Sequence, residues 1–552
     1  MRLTPAAVLL AVHLCGGAAL AQGTSDPRAA RVDSLFAEYD RTPSPGLALA
    51  VVRDGRVLLR RGYGLADVEH RVPITPSTVF DVASLSKQFT GLAVAMLVTE
   101  GKVGLRDDIR RYVPELANFG RPITVEQLVH HTSGLRDWPG TLLVAGRTFD
   151  DAISFDQILA MAYRQRTLNF VPGAEHLYSN TGYVVLAEMV ERVTGRSFRA
   201  FTDERIFRPL GMSASHFRDD LAEAIPRRAF GYAYANRRWH RTPNELTALG
   251  SSSLFSSVDD MARWLTNLDQ GRVGGRALAL MQTQGRLNDG TPVPYGFGLE
   301  HECYLGNPAV THSGSWASFK TFILHIPQQR FGIVVLANGG DSIDAQRAVS
   351  EIADIYLAHG NCPGDPLPAA ATGPTVPVPA ATLDAYAGLY RLGPGWYVRI
   401  RRQGAALVAQ ATNEDSVSMA ARSQREFWVE NYGAAMVFQR DAAGRVSRLD
   451  YRGIHAPKLD ESRRPPLGDY VGEYESAELG TSYRVTLRGG ALELQHRRHG
   501  TIPLERLWRD DFGSATWFLR SIEFRRDAAG RVIALVVNGD PRSRDIRFVK
   551  RR

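Results

Sequence analysis

Ser84-Leu85-Ser86-Lys87 opens an apolar run that continues to Glu100 and stops at Gly101. The run predicts a helix over 84–100, with Phe89, Leu92, Met96 and Leu97 at helical spacing. A helix begun at Ser84 puts residues i and i+3 on one face, so the Lys87 ammonium can reach the Ser84 hydroxyl. A serine at its free pKa is a poor nucleophile and needs a neighbouring base, or a lysine of depressed pKa, to take its proton. The helix N-terminus adds a positive dipole end for a developing oxyanion. A Ser and a Lys three apart also fit a capping serine and a solvated lysine, so the residues downstream have to decide.

Tyr178-Ser179-Asn180 follows Pro172-Gly173 at the mouth of a helical stretch. A Tyr near a Lys can have its phenol pKa lowered and act as a general base. The Asn amide can bond both a lysine and a substrate carbonyl. His312-Ser313-Gly314, followed by Ser315-Trp316, falls on a predicted edge strand. A glycine there lets a substrate backbone come close. Taken singly, a Tyr-Ser-Asn triplet is an ordinary loop and a lone His an ordinary structural histidine.

The elements around these residues predict an α+β domain. Gly46 to Val52 and Val57 to Arg61 flank Asp54-Gly55, a hairpin turn signal. Helical stretches follow at Gly182 to Val193 and Val258 to Leu268. Val310 to Ser313, Phe319 to Ile326 and Phe331 to Leu336 read as consecutive antiparallel strands before a closing helix over Asp344 to Ala358. Strands, helices, then strands and a helix predict a sheet backed by terminal helices, with a helical insert. The loops Asp137 to Thr148 and Trp239 to Ser257 are candidate pocket walls. Trp138, Trp239 and Trp316 are candidate lining residues, with burial in the core the commoner fate of a Trp.

Asn361 to Ala380 has the Pro-rich composition of a linker. Beyond it Tyr386-Ala387-Gly388-Leu389-Tyr390 recurs as Tyr470-Val471-Gly472-Glu473-Tyr474, and Asp441-Ala442-Ala443-Gly444-Arg445-Val446 as Asp527-Ala528-Ala529-Gly530-Arg531-Val532. Short alternating strands such as Tyr397 to Ile400 and Tyr483 to Leu487 predict two β-units, 381–465 and 466–552. They can form two small barrels or two halves of one. The whole net charge of +8 sits from residue 381 onward, where 29 Lys and Arg face 21 Asp and Glu. That reads as a solvated β-surface, and no nucleic-acid-binding motif accompanies it.

The N-terminus reads as a secretory signal over 1–21: Arg2, a mostly apolar Ala6 to Leu20, and Ala19-Leu20-Ala21 before Gln22. Cys15 lacks a small residue before it for lipidation. Export leaves Cys303 and Cys362, either one disulfide or two thiols. The expected location is periplasmic or secreted, without an integral membrane anchor. No cysteine pair has zinc-ligand spacing, and no metal or cofactor is called for.

Together, in this order and spacing, the motifs resemble those of the penicillin-recognising serine hydrolases. These include class C β-lactamases, D-aminopeptidases, D-alanyl-D-alanine carboxypeptidases and β-lactamase-like esterases. The resemblance covers roughly residues 28–360 and extends to Gly62 to Asp67, Val79 to Lys87, His131 to Leu135 and Pro209 to Met212. It implies a β-lactamase-like domain over 22–360 followed by lipocalin-like barrels. It implies Ser84 as acylated nucleophile, Lys87 as its activator, and Tyr178 as general base and later acid. Asn180 becomes a substrate-amide and Lys87 anchor, and the backbone N–H groups of Ser84 and Ser315 an oxyanion hole. The edge-strand triplet departs from the Lys-Thr-Gly of the β-lactamase and carboxypeptidase branches. His is only fractionally charged near neutral pH, so His312-Ser313-Gly314 points to the peptidase and esterase branch, with weak or no β-lactam turnover. The expected activity is hydrolysis of amide or ester bonds in small or peptide substrates, cell-wall-derived ones included. The alternatives are an envelope-binding module that acylates without turnover, or an inactive scaffold. In the same branch such barrels gate the active site or mediate oligomer formation, so a homo-oligomer through the C-terminal units is also expected.

Overall fold

The computed structural model describes residues 27–41, 43–360, 362, 375–412 and 414–551. The expected signal segment over 1–21 and most of the Pro-rich stretch, 361 and 363–374, lie outside the described residues. Among the described residues, no helix is long and apolar enough to cross a membrane.

The described residues up to 360 are built on a six-stranded antiparallel sheet. Its strands are β1 (Leu47–Arg53), β2 (Arg56–Tyr63), β3 (Glu300–Tyr304), β4 (Asn307–Trp316), β5 (Phe319–Ile326) and β6 (Phe331–Ala337), in the order β3-β4-β5-β6-β1-β2. The Asp54-Gly55 turn joins β1 to β2 with positive φ at both residues, 52° and 71°. Because side chains alternate across a strand, Leu47, Leu49 and Val51 enter one apolar layer. Ala48, Ala50 and Val52 enter the other. The first layer is closed by helices α1 (Pro27–Arg41) and α6 (Ala345–Tyr356). The second is closed by the helical insert, which contains α2 (Ser86–Thr99), α3 (Trp138–Val144), α4 (Asn180–Thr194) and α5 (Val258–Gln270).

Three readings of the sequence change here. Helix α2 is buried from Ser86 to Leu97 on every side, not along one stripe, because sheet and insert enclose it. The 137–148 segment is not a loop but carries α3. Strand β4 is an edge only in part: β3 pairs with it from Asn307 to Thr311, and the free edge begins at His312. Cys303 and Cys362 form a disulfide that ties β3 to the segment after α6.

Beyond residue 380 lie two separate eight-stranded antiparallel units, Gly388–Pro457 and Gly472–Lys550. The second is a closed barrel, its first and last strands paired at Tyr474↔Lys550. The first curls until Tyr390 bridges Lys458. Each has its own apolar core. The repeated Tyr-x-Gly-x-Tyr makes the same corner twice. Tyr390 Oη donates to Tyr386 O at 2.7 Å, and Tyr474 Oη to Tyr470 O at 2.6 Å. The glycine between is required: its φ is 147° or 150°, and a Cβ there would stand 2.6 Å from the Cε of Lys458 or Lys550.

The second barrel docks on the helical insert. Leu143 and Val144 of α3 belong to the barrel's core. Tyr483 Oη donates to Val144 O at 3.0 Å, and Arg498 forms a two-pronged pair with Asp151 at 2.7 and 2.8 Å. The Arg136 guanidinium, buried between the two bodies, pairs with Glu478 and donates to the carbonyls of Arg544 and Asp545 at 2.7 and 2.9 Å. Removing one member of a buried ion pair costs about 3–5 kcal/mol, because the other charge is left uncompensated. Arg136→Met should therefore lower stability by about that amount in denaturant unfolding. A loss below about 1 kcal/mol would show that the apolar contacts alone hold the barrel in place.

Candidate active site

The expected nucleophile sits at a strained start of α2. Ala83 has φ 50°, a left-handed conformation that costs a residue with a Cβ about 1–2 kcal/mol. The surroundings impose it. Asp81 Oδ1 accepts from Ala83 N at 2.8 Å, and Ser86 Oγ donates to Ala83 O at 2.5 Å. Asn244 Nδ2 donates to Asp81 Oδ2 at 2.9 Å and fixes that carboxylate. Ser84 then lies in a short 3₁₀ turn that runs into α2.

Lys87 is fully buried, and its Nζ has three acceptors around it. These are Ser84 Oγ at 3.1 Å, Asn180 Oδ1 at 2.8 Å and Ser251 O at 2.7 Å. Desolvation lowers its pKa to about 7, while the nearby Asp137 opposes the shift. A neutral amine has two N–H donors and one lone pair. Asn180 and Ser251 can take the donors, which leaves the lone pair for the Ser84 hydroxyl.

Tyr178 stands beside this pair. Lys87 Nζ lies 4.8 Å from its ring centroid, and the ring packs tilted against His131, centroids 4.3 Å apart. Its hydroxyl is buried without a hydrogen bond of normal geometry. Burial holds the phenol well above its usual pKa, although the Ser84 hydroxyl favours the phenolate. The sequence reading expected a lowered phenol pKa; burial moves it the other way.

His312 carries still less charge than its residue type suggests. Its Nδ1 lies 2.7 Å from Ser313 O and its Nε2 2.8 Å from Tyr295 Oη. Nδ1 therefore carries the proton and Nε2 accepts from the tyrosine. Burial, with Lys87 nearby, lowers its pKa to about 3. Gly314 serves packing, not substrate approach. A Cβ there would lie 2.2 Å from Thr321 Oγ1 and 2.6 Å from Val82 O, which are themselves hydrogen-bonded at 3.0 Å. The glycine thus lets β4 lie against the segment that carries the nucleophile.

Ser84, Tyr178, Asn180, His312, Ser313 and Ser315 line one cavity of about 650 Å³. Trp138 and Trp316 line it too, and Phe149 and Trp517 extend an aromatic wall, with Phe149 5.3 Å from Trp316 and 6.4 Å from Trp517. Trp239 does not take part; it packs on Tyr234 in an outlying hairpin.

Residues missed in the sequence complete the centre. Asp137 is fully buried. Its Oδ1 accepts from Asn180 N at 2.7 Å, and its Oδ2 from Asn180 Nδ2 at 3.1 Å. Arg542, from the second barrel, meets the same Oδ2 at 3.2 Å, and its backbone carbonyl accepts from Asp137 N at 2.8 Å. Burial pushes the Asp137 carboxyl up, and Arg542 and the Asn180 donors pull it back. The chain of contacts runs Arg542–Asp137–Asn180–Lys87. Asp137 lies two residues beyond the His131-to-Leu135 segment and was within reach of the motif reading. Nothing local marks Arg542 or Trp517, which arrive from another domain.

Asn at position 137 would present an N–H₂ where one Asn180 donor now points. Losing a hydrogen bond to a charged group costs about 1.5–3 kcal/mol, or about 10–100-fold in rate. Asp137→Asn should cut kcat for any Ser84-dependent reaction by that factor with unchanged circular dichroism. An unchanged kcat would show that Asn180 needs no support.

The comparisons with known proteins agree with this geometry. The family model described as Beta-lactamase matches residues 32–357. A D-aminopeptidase of Gluconobacter oxydans is 28% identical over 479 residues, covering 85% of this chain and 87% of that protein. One from Brucella melitensis is 27% identical over 520 residues, covering 89% and 93%. Among solved structures, the octameric penicillin-binding protein homologue from Pyrococcus abyssi aligns with TM-score 0.53 at 21% identity, over 85% of this chain and 98% of its own. SurE aligns with TM-score 0.54 at 22% identity, over 78% and 99%. These two likenesses concern the fold. With more than half its length matched by the family model, and with Ser84 and Tyr178 in one cavity and Lys87 buried behind Ser84, the chain belongs to the beta-lactamase family of serine hydrolases.

Proposed function

We propose that this protein hydrolyses amide bonds of D-amino-acid peptides or amides through a Ser84 acyl-enzyme. The observation that carries the reading is the buried Lys87 amine, held by two acceptors with its third contact on Ser84 Oγ. Neutral Lys87 takes the Ser84 proton as Oγ attacks the carbonyl carbon. The backbone N–H groups of Ser84 and Ser315 receive the oxyanion. The Tyr178 phenol, protonated because it is buried, gives its proton to the leaving nitrogen and regains one from Lys87. Water then attacks the acyl-enzyme with Lys87 again as base. The likeness to D-aminopeptidases over most of both chains supports the choice of amide and of D-configured substrates. A neutral His312 where β-lactam-binding relatives place a lysine supports weak or no β-lactam turnover.

The test is a fluorophosphonate label followed by intact-mass analysis, then turnover of D-amino-acid anilides. Ser84→Ala should abolish labelling and lower turnover at least about 10³-fold. Equal labelling of wild type and variant would overturn the reading. The pH dependence follows from the reacting form. Lys87 must be neutral, and its pKa is lowered to about 7. So kcat/KM for a substrate without a titratable amine should rise with pH through about 7 and level off above it. A profile falling across that range would exclude Lys87 as the base.

The reading includes export. It rests on the N-terminal pattern and on the Cys303–Cys362 disulfide, a bond that persists in oxidising compartments. A mature chain beginning at Gln22 is the expected mass-spectrometric result, and an exported chain retaining Met1 would contradict it.

A further inference from the structure

Glu300 is a charged group in the cavity that the mechanism does not use. It stands at the start of β3, opposite Thr311, just where that strand stops covering β4. It lines the cavity with Ser84, Tyr178, Asn180 and His312. Among the described residues its carboxylate has neither a hydrogen bond nor an ion pair. Burial raises its pKa, Glu302 adds to that, and Lys87 opposes it. Leaving a half-buried carboxylate without a partner is costly, so the group is placed for something the protein itself does not supply.

The other charges around the cavity define what that is. Arg542 is occupied, with Asp137 Oδ2 at 3.2 Å and Asp540 Oδ2 at 3.1 Å. His312 is neutral, as derived above. Lys87 is enclosed by Ser84, Asn180 and Ser251. Asp150, at the exposed rim, adds a second carboxylate to the lining. The cavity therefore offers an unpaired anion to a ligand and no unpaired cation. A substrate carboxylate would meet repulsion, and an ammonium would meet a partner. The wall of Trp138, Phe149, Trp316 and Trp517 adds an apolar surface in the same cavity.

We propose that Glu300 is the receptor for the substrate's α-ammonium, so that the site selects amides of amino acids or peptides with a free amino group and a large apolar side chain. The inference rests on the amide-hydrolase reading above. An arriving ammonium forms a charge-assisted hydrogen bond with the carboxylate and favours its ionised form. An N-acylated substrate brings a neutral amide N–H to the same place and leaves the carboxylate uncompensated.

The experiment compares D-phenylalanine p-nitroanilide with its N-acetyl derivative on the full-length protein. Wild type should favour the free amine in kcat/KM by at least about tenfold. Glu300→Gln keeps the shape and removes the charge. It should cut kcat/KM for the free amine by about 10–100-fold, mainly through KM, and collapse the preference. Glu300→Asp should recover part of it. Equal fractional loss on both substrates would give Glu300 a catalytic or structural role and overturn the proposal. So would a wild-type enzyme that favours the N-acetyl compound or does not distinguish the two. If neither anilide is turned over and Ser84 resists the fluorophosphonate label, the hydrolase reading itself fails. Ser84-dependent turnover without preference sinks only this inference.

Discussion

The site depends on keeping one ammonium-forming group out of water. Lys87 is buried along its whole length, and desolvation is the main cause that brings its proton affinity into the neutral range, with Arg542 adding to it and Asp137 opposing it. The six-stranded sheet, the enclosed α2 and the insert supply that dryness. The polar groups supply direction. Asn180 and Ser251 hold the amine without neutralising a charge, so Lys87 is fixed in place and stays able to accept a proton. A carboxylate in direct contact would have fixed it equally well and made it a permanent cation. Asp137 is kept one residue away, behind Asn180.

That separation carries its own demand. A fully buried carboxylate needs a cation, and here the cation comes from the second barrel. Arg542 brings its backbone as well as its guanidinium to Asp137, and Ser543 Oγ donates to Asp137 O at 3.0 Å. Helix α3 therefore has one end in the catalytic centre and the other in the barrel's core. The two barrels share a corner motif and differ in use: the second finishes the active site and contributes Trp517 to its wall.

Much of this was legible in the sequence, and the limits have physical causes. Ser84, Lys87, Tyr178, Asn180 and the 312–315 strand could be read because each lies in a short motif whose chemistry is local. The 54–55 turn and the strands of the sheet could be read because turn chemistry and side-chain alternation are local too. What failed was environment. The Tyr178 phenol, the His312 ring and the role of Gly314 depend on what packs against them, and no spacing rule reports desolvation. Glu300 lies in no motif the sequence offers, and only the fold brings it into the cavity. Arg542 was one of many arginines in a basic region, and only tertiary structure distinguishes it.

The contact between Ser543 and Asp137 spans 406 residues of chain. Ribosomes add about 5–20 residues per second. The domain that carries Ser84 is complete only at Tyr356, so a chain appearing N-terminus first at that rate presents it roughly 10–40 s before Ser543 and Arg542. During that interval the carboxylate behind Asn180 has no counter-charge, and the amine beside the nucleophile lacks its final support. Hydrolytic competence thus arrives late in the life of each molecule, timed by chain length and set apart from the folding of the domain that bears the nucleophile.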